Sequence, residues 1–175
     1  MLQKDMSVLQ IMLYGNPILT QKSKEIQNID EDIVSFSQYM VYTMHKAPGI
    51  GLAAPQVNRG IRLITVDLSV GENSKDLIIL LNPEIFLPKG KNVLEESCLS
   101  IPGISEKVIR PSTVHVKGID LKGEEKIIEA EGLLARIFCH EIDHLDGKLF
   151  IDYLSPLKKS LIMKKLKEIK EEARS

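Results

Sequence analysis

His140-Glu141-Ile142-Asp143-His144 is the part of the sequence whose residue types and spacing point most directly to chemistry. On a helix, residues four apart lie about one turn apart on one face, so two neutral imidazoles at that spacing can hold a single divalent cation. Glu141 directly follows the first imidazole, which places a carboxylate beside the cation as a candidate base rather than a ligand. The competing reading is an ordinary amphipathic helix with two surface or core histidines. A catalytic cation needs a third protein ligand and one open position. Cys98, well upstream in EESCLS, is the natural candidate, because a thiolate binds divalent transition metals strongly. Its bland alternative is a buried free cysteine. His45 and His115 have no partner at ligand spacing and read as ordinary residues.

The elements that would position these residues are legible as patterns. LLARIFCHEIDHLDG reads as a helix that stops at Gly147. An earlier helix is expected from Asp30 to Lys46, where Ile33, Phe36, Met40 and Met44 recur at three- and four-residue steps and Pro48 and Gly49 end the run. IRLITVDL, LIILLNPEIF and STVHVKGIDL read as strands, punctuated by Asn82-Pro83, Pro102-Gly103 and Pro111. Gly123 marks a hairpin turn, with KIIEAEG as the return strand. Ser155-Pro156 resembles a cap followed by proline at the first helical position. Leu157, Leu161, Leu166 and Ile169 would stripe that last helix, whose other face is dense in lysine. The expected fold is α+β: small antiparallel sheets around a central helix carrying HEIDH, with an N-terminal and a C-terminal helix.

Bulk properties narrow the rest. A chain of 175 residues with 43% apolar content suits one globular domain over 1–175, with 156–175 as its final helix. Lysine plus arginine (23) nearly cancels aspartate plus glutamate (24), so no overall field favours DNA or an anionic membrane. The apolar stretches are strand-sized, and MLQKDMSVLQ lacks the apolar run of an export signal. Cys98 and Cys139 read as separate intracellular thiols, so a cytoplasmic protein is expected.

Three separated segments together resemble the peptide deformylase family: GIGLAAPQ at Gly49 to Gln56, ESCLS at Glu96 to Ser100, and HEIDHLDG at His140 to Gly147. YGNPIL and GKLFIDYLSPLKK are similar to that family's flanking sequence, so the resemblance covers nearly the whole chain. Two positions depart from the pattern. Ser97 stands where the family usually has glycine, and Cys139 where it usually has glutamine. A side chain at residue 97 would alter how a peptide fits. Cys139 would point about 100° away from the metal face and pack rather than coordinate.

The resemblance implies a hydrolase that removes the N-terminal formyl group from formyl-methionyl peptides and releases formate. Cys98, His140 and His144 would hold one divalent metal, in the family commonly Fe2+, with Zn2+, Ni2+ or Co2+ able to replace it. Glu141 would take a proton from the attacking water, while the Gln56 side-chain amide and the Leu99 N–H would stabilise charge on the formyl oxygen. Gly49 and Gly51 would let an extended peptide pair with bare backbone. Ile50, Leu133 and Ile137 are candidates for the apolar pocket that takes the methionine side chain, although each reads equally well as ordinary core. A ligand histidine usually donates its second N–H to a carboxylate, and Asp143 or Glu96 can serve. Pairing of Glu96 with Arg110 is the structural alternative. The lysines of the last helix suggest contact with the ribosome, against the ordinary reading of a solvated face. The enzymatic rival is a small metallopeptidase that cleaves internal bonds. The rival from another class is a metal-binding or ribosome-associated protein without turnover.

Overall fold

The computed structural model describes residues 7–173. Residues 1–6 and 174–175 lie outside the described residues, and with them the two ends of the expected domain, the start of MLQKDMSVLQ and the last two residues of the expected 156–175 helix. Among the described residues three α-helices run Glu31–Lys46 (α1), Gly132–Leu145 (α2) and Pro156–Glu172 (α3). The strands among the described residues run Gly51–Ala53 (β1), Leu63–Val66 (β2), Ile78–Lys89 (β3), Asn92–Cys98 (β4), Ile101–Arg110 (β5), Thr113–Ile119 (β6) and Glu125–Glu131 (β7). They form a five-stranded antiparallel sheet in the order β1-β2-β3-β6-β7 and a separate two-stranded sheet, β4-β5. This is the α+β architecture expected.

The larger sheet has two apolar faces because its strands alternate. Ile64, Val66, Leu80, Val114 and Val116 face Ala135, Phe138, Ile142 and Leu145 of α2. Leu63, Leu81 and Leu52 face Ile33, Met40 and Met44 of α1. A third core fills the space beneath β5, where Ile101, Ile104 and Val108 meet Phe150 and Ile151 of a 3-10 turn and Leu166 and Ile169 of α3. Thus α2 is buried between the two sheets, which is what brings its residues next to β4.

Helix ends follow local chemistry. Asp30 caps α1 by accepting the Ile33 N–H at 2.9 Å, and Ser155 caps α3 by accepting the Lys158 N–H at 3.3 Å. Gly147 ends the α2 segment at φ +70°, where a Cβ would lie 2.7 Å from the backbone of Thr20.

Three expectations need correction. Asn82-Pro83 and Pro102-Gly103 do not separate strands; the first sits in a register shift inside β3 and the second lies within β5. At the first, a bulge accommodates the missing proline N–H, and the Asn82 carboxamide binds the Ile26 N–H and C=O at 2.8 and 2.9 Å. Strands β1, β4 and β5 were not among the expected ones. The apolar stripe of α3 is half its expected length: Leu166 and Ile169 are buried, but Leu157 and Leu161 are 71% and 74% exposed.

Candidate metal centre

Helix α2 supplies most of the centre. Its period places His140 and His144 side by side, with ring centroids 5.0 Å apart. The third group arrives from the other sheet. The β4-β5 register shifts between Ser97 and Cys98, so Cys98 pairs with Ile101 across a tight hairpin tip and lies against α2. Its Sγ is 3.3 Å from Nε2 of His144. One ligand atom from each of Cys98, His140 and His144 lies within 4.8 Å of the other two. A cation bound at about 2.0–2.3 Å from sulfur and nitrogen fits among them. The donor set, one sulfur and two imidazole nitrogens, suits Fe, Zn, Ni or Co rather than Mg or Ca.

Glu96, 5% exposed, fixes His140. Its Oε2 lies 3.0 Å from the ring Nδ1, which turns Nε2 toward Cys98. The same carboxylate accepts from Arg110 Nε and Nη2 at 2.8 and 3.1 Å and from Arg136 Nη1 at 2.6 Å. The two expected partners of Glu96, a histidine or Arg110, are therefore both present. Burial alone would raise the Glu96 pKa, but His140 and Arg110 bring it down to about 2. Asp143 does not serve a ligand ring; it accepts from Arg110 Nη1 at 2.5 Å and from the Tyr153 hydroxyl at 3.0 Å.

Glu141, 4% exposed, follows His140 on α2, and burial pushes its carboxyl up to about 7. Gly51 packs directly on it: a Cβ on Gly51 would lie 2.3 Å from Glu141 Oε1 and 2.9 Å from Ile137 Cγ2. Gln56, 2% exposed, has its carboxamide oriented by the Ala53 N–H, which donates to Oε1 at 2.9 Å. Its Nε2 thereby points at Cys98 Sγ, 3.5 Å away, and at Ser100 Oγ, 3.3 Å away. Leu99 occupies the hairpin tip, and its side chain lies against Gly49.

A cavity of about 490 Å³ opens onto these groups. Its lining includes Gly49, Ile50 and Gly51 on one side and Ser97, Cys98 and Leu99 on another. Leu133, Ile137, His140 and Glu141 contribute from α2, and Gln56 is at the wall. Every expected site residue except His144 therefore lines one cavity, and His144 is buried behind it. Leu133 is half exposed and forms the rim rather than the floor.

Arg136 was not singled out from the sequence. It is 3% exposed, and besides Glu96 it donates to the C=O groups of Val108 and Asn92 at 3.0 and 2.9 Å, stitching α2 to both strands of the hairpin. The available signal was an arginine in the apolar run LLARIFC. Cys139 is buried in the core shared with the large sheet, away from the ligand cluster, and burial pushes its thiol up to about 11.

The sequence matches the family described as Polypeptide deformylase over residues 8–160. It is 49% identical to a peptide deformylase of Thermodesulfovibrio yellowstonii over 162 residues, 93% of this chain and 98% of the relative. It is 52% identical to that of Halothermothrix orenii over 147 residues, 84% of this chain and 94% of the relative. Among solved structures, a peptide deformylase of Legionella pneumophila superposes with a TM-score of 0.88 at 39% identity, covering 97% of this chain and 99% of that one. One from Plasmodium falciparum gives 0.89 at 37% identity, covering 94% and 96%.

Proposed function

The chain belongs to the peptide deformylase family, metal-dependent hydrolases that take the formyl group from the amino terminus of new polypeptides, and on that premise we propose how its residues divide the work. The observation that carries the reading is convergence: Cys98, His140, the Glu141 carboxylate and the Gln56 amide line one cavity bounded by bare glycine backbone, and His144, buried behind it, completes the cluster with Cys98 and His140. Cys98, His140 and His144 hold the cation. When bound, the cation supplies Lewis acidity, which lowers the pKa of water toward neutrality. Glu141 accepts the proton of the attacking water and returns it to the departing amine as the formyl C–N bond breaks, giving formate and a free N-terminus. The Gln56 amide and the Leu99 N–H donate to the formyl oxygen as its charge grows.

Gly49 and Gly51 leave room for extended peptide backbone, Ser97 borders it, and Ile50, Leu133 and Ile137 accept the methionine side chain. The chain acts as one catalytic domain in the cytoplasm. Among the described residues no helix is long and apolar enough to cross a membrane. Purified protein given formyl-Met-Ala-Ser is expected to release formate stoichiometrically with free amine. Internal cleavage of unblocked peptides without formate would favour the metallopeptidase reading instead.

The native cation is Fe2+, the ion common in the family; the sulfur and nitrogen donor set accepts it, as it accepts Zn2+, Ni2+ or Co2+. Its expected mark is activity lost in air and regained on loading with nickel or cobalt; activity indifferent to air points to zinc. The ribosome is a partner through α3, whose outer face exposes Leu157, Leu161, Lys164 and Lys167. Because Leu166 and Ile169 of the same helix are core, the test is Lys164→Glu with Lys167→Glu rather than deletion. Co-sedimentation with ribosomes should fall in that variant, and unchanged co-sedimentation refutes the contact.

A further inference from the structure

One buried carboxylate stands outside the metal centre and has no part in its chemistry. Asp67 follows β2 and is 1% exposed. Its oxygens accept from the Ser69 N–H at 2.9 Å, the Ser69 hydroxyl at 2.7 Å and the Gly71 N–H at 2.9 Å, and one stands 2.8 Å from Nε2 of His45. Burial raises the Asp67 pKa, but hydrogen bonds from Ser69, His45 and Gly71 outweigh it and hold the carboxyl below its ordinary value. The turn that delivers these donors is strained. Val70 sits at φ +52°, a region β-branched residues avoid, and Gly71, at φ +90°, packs against the His45 ring. Such backbone persists where its surroundings over-determine it, and here the carboxylate does so.

What Asp67 holds borders the cavity. His45 lies in the last turn of α1, and Asp67's own N–H donates to the Ile50 C=O at 3.0 Å. Both ends of the segment 45–50 are thus tied to one residue, by side chain at one end and by backbone at the other. Pro48, Gly49 and Ile50 line the cavity, and Gly51 continues onto Glu141; His45 and Asp67 do not line it. We infer that His45 and Asp67 are positioning residues for the substrate, closing residues 45–50 into a bracket that presets the cavity wall against which the peptide lies. A preset wall avoids the ordering cost of binding, so loosening it weakens substrate affinity while leaving the reacting groups on α2, β4 and Gln56 in place.

The inference rests on the deformylase reading of the cavity. His45→Ala and His45→Gln are compared with wild type in the full-length, metal-loaded protein on formyl-Met-Ala-Ser. The alanine variant should raise KM about tenfold with kcat changed by no more than about twofold, the pattern of lost binding rather than lost chemistry. Glutamine, whose amide N–H can also donate to Asp67, should recover most of the affinity. Hydrogen exchange across residues 46–51 should quicken in His45→Ala while that of α2 stays unchanged. An unchanged KM, a fall in kcat without a rise in KM, or a glutamine variant no better than alanine overturns the inference. Wild type that releases no formate would instead sink the deformylase reading, and the exchange measurement would still decide whether the bracket exists.

Discussion

Glu96 Oε2 lies 3.0 Å from Nδ1 of His140, so a residue of β4 orients a ring carried by α2 across the gap between the two sheets. The same carboxylate neutralises Arg110 and Arg136, both at most 4% exposed. Glu96→Gln keeps the shape but takes the carboxylate from Arg136 and leaves Arg110 with Asp143 alone. A stability loss of about 3–5 kcal/mol is expected from denaturant unfolding, since one partner of a buried ion network is removed. Metal affinity, measured by competition with a chelator, should drop about 10- to 100-fold.

Gly51 and Glu141 are in contact with no room between them. Gly51→Ala must displace the carboxylate or β1. Displacements of that size at a reacting group lower turnover by on the order of 100-fold. Steady-state kinetics on formyl-Met-Ala-Ser should show that loss with metal content unaltered, because the atoms nearest a side chain at residue 51 belong to Glu141 and Ile137 rather than to Cys98, His140 or His144; near wild-type kcat would show that the carboxylate has slack.

Gln56 offers its Nε2 beside Cys98 because its Oε1 is held by the Ala53 N–H. Gln56→Glu retains the acceptor and removes the donor. A fall in kcat of about 100- to 1,000-fold is expected, as for loss of one oxyanion donor elsewhere, with KM little changed. A variant altered in KM alone would place Gln56 in binding rather than catalysis.

Asp67 gives the protein a pH signature distinct from the metal centre. Its folded pKa is below the ordinary 3.8, so its stabilising contribution is complete above that value and is lost as pH falls through the lower folded value. Asp67→Asn should therefore be less stable than wild type near about pH 7, with the gap closing as pH falls below 3.8. Urea midpoints of both proteins across that range check the sign; a gap that widens on acidification would contradict it.

Helix α2 was legible because its apolar period, its stop at Gly147 and its histidine spacing all mark one segment. The β4-β5 hairpin was not. Charged residues interrupt NVLEESC, and Pro102-Gly103 inside β5 imitates punctuation. Its alternation also answers to two different partners: Ile104 and Val108 face α3 and the turn at Phe150, while Arg110 and Glu96 face α2. The partner of His140 stayed open because both candidates stand near a histidine in sequence or motif, and only the packing of β4 on α2 separates them. Leu157 and Leu161 have the period of a buried stripe, yet only the second half of α3 reaches β5.

Five of the residues gathered at the cavity or its metal centre, Leu133, Ile137, His140, Glu141 and His144, ride on a single rod. An exposed turn can change length without disturbing it, as at the Lys122-Gly123-Glu124 tip, where a side chain on Gly123 would meet nothing within 4 Å. An insertion of one residue within α2 would instead rotate everything beyond it by about 100° and part the rim from the base. Variation in length among related chains should therefore be confined to the loops, while the helix between Gly132 and Leu145 keeps its residue count.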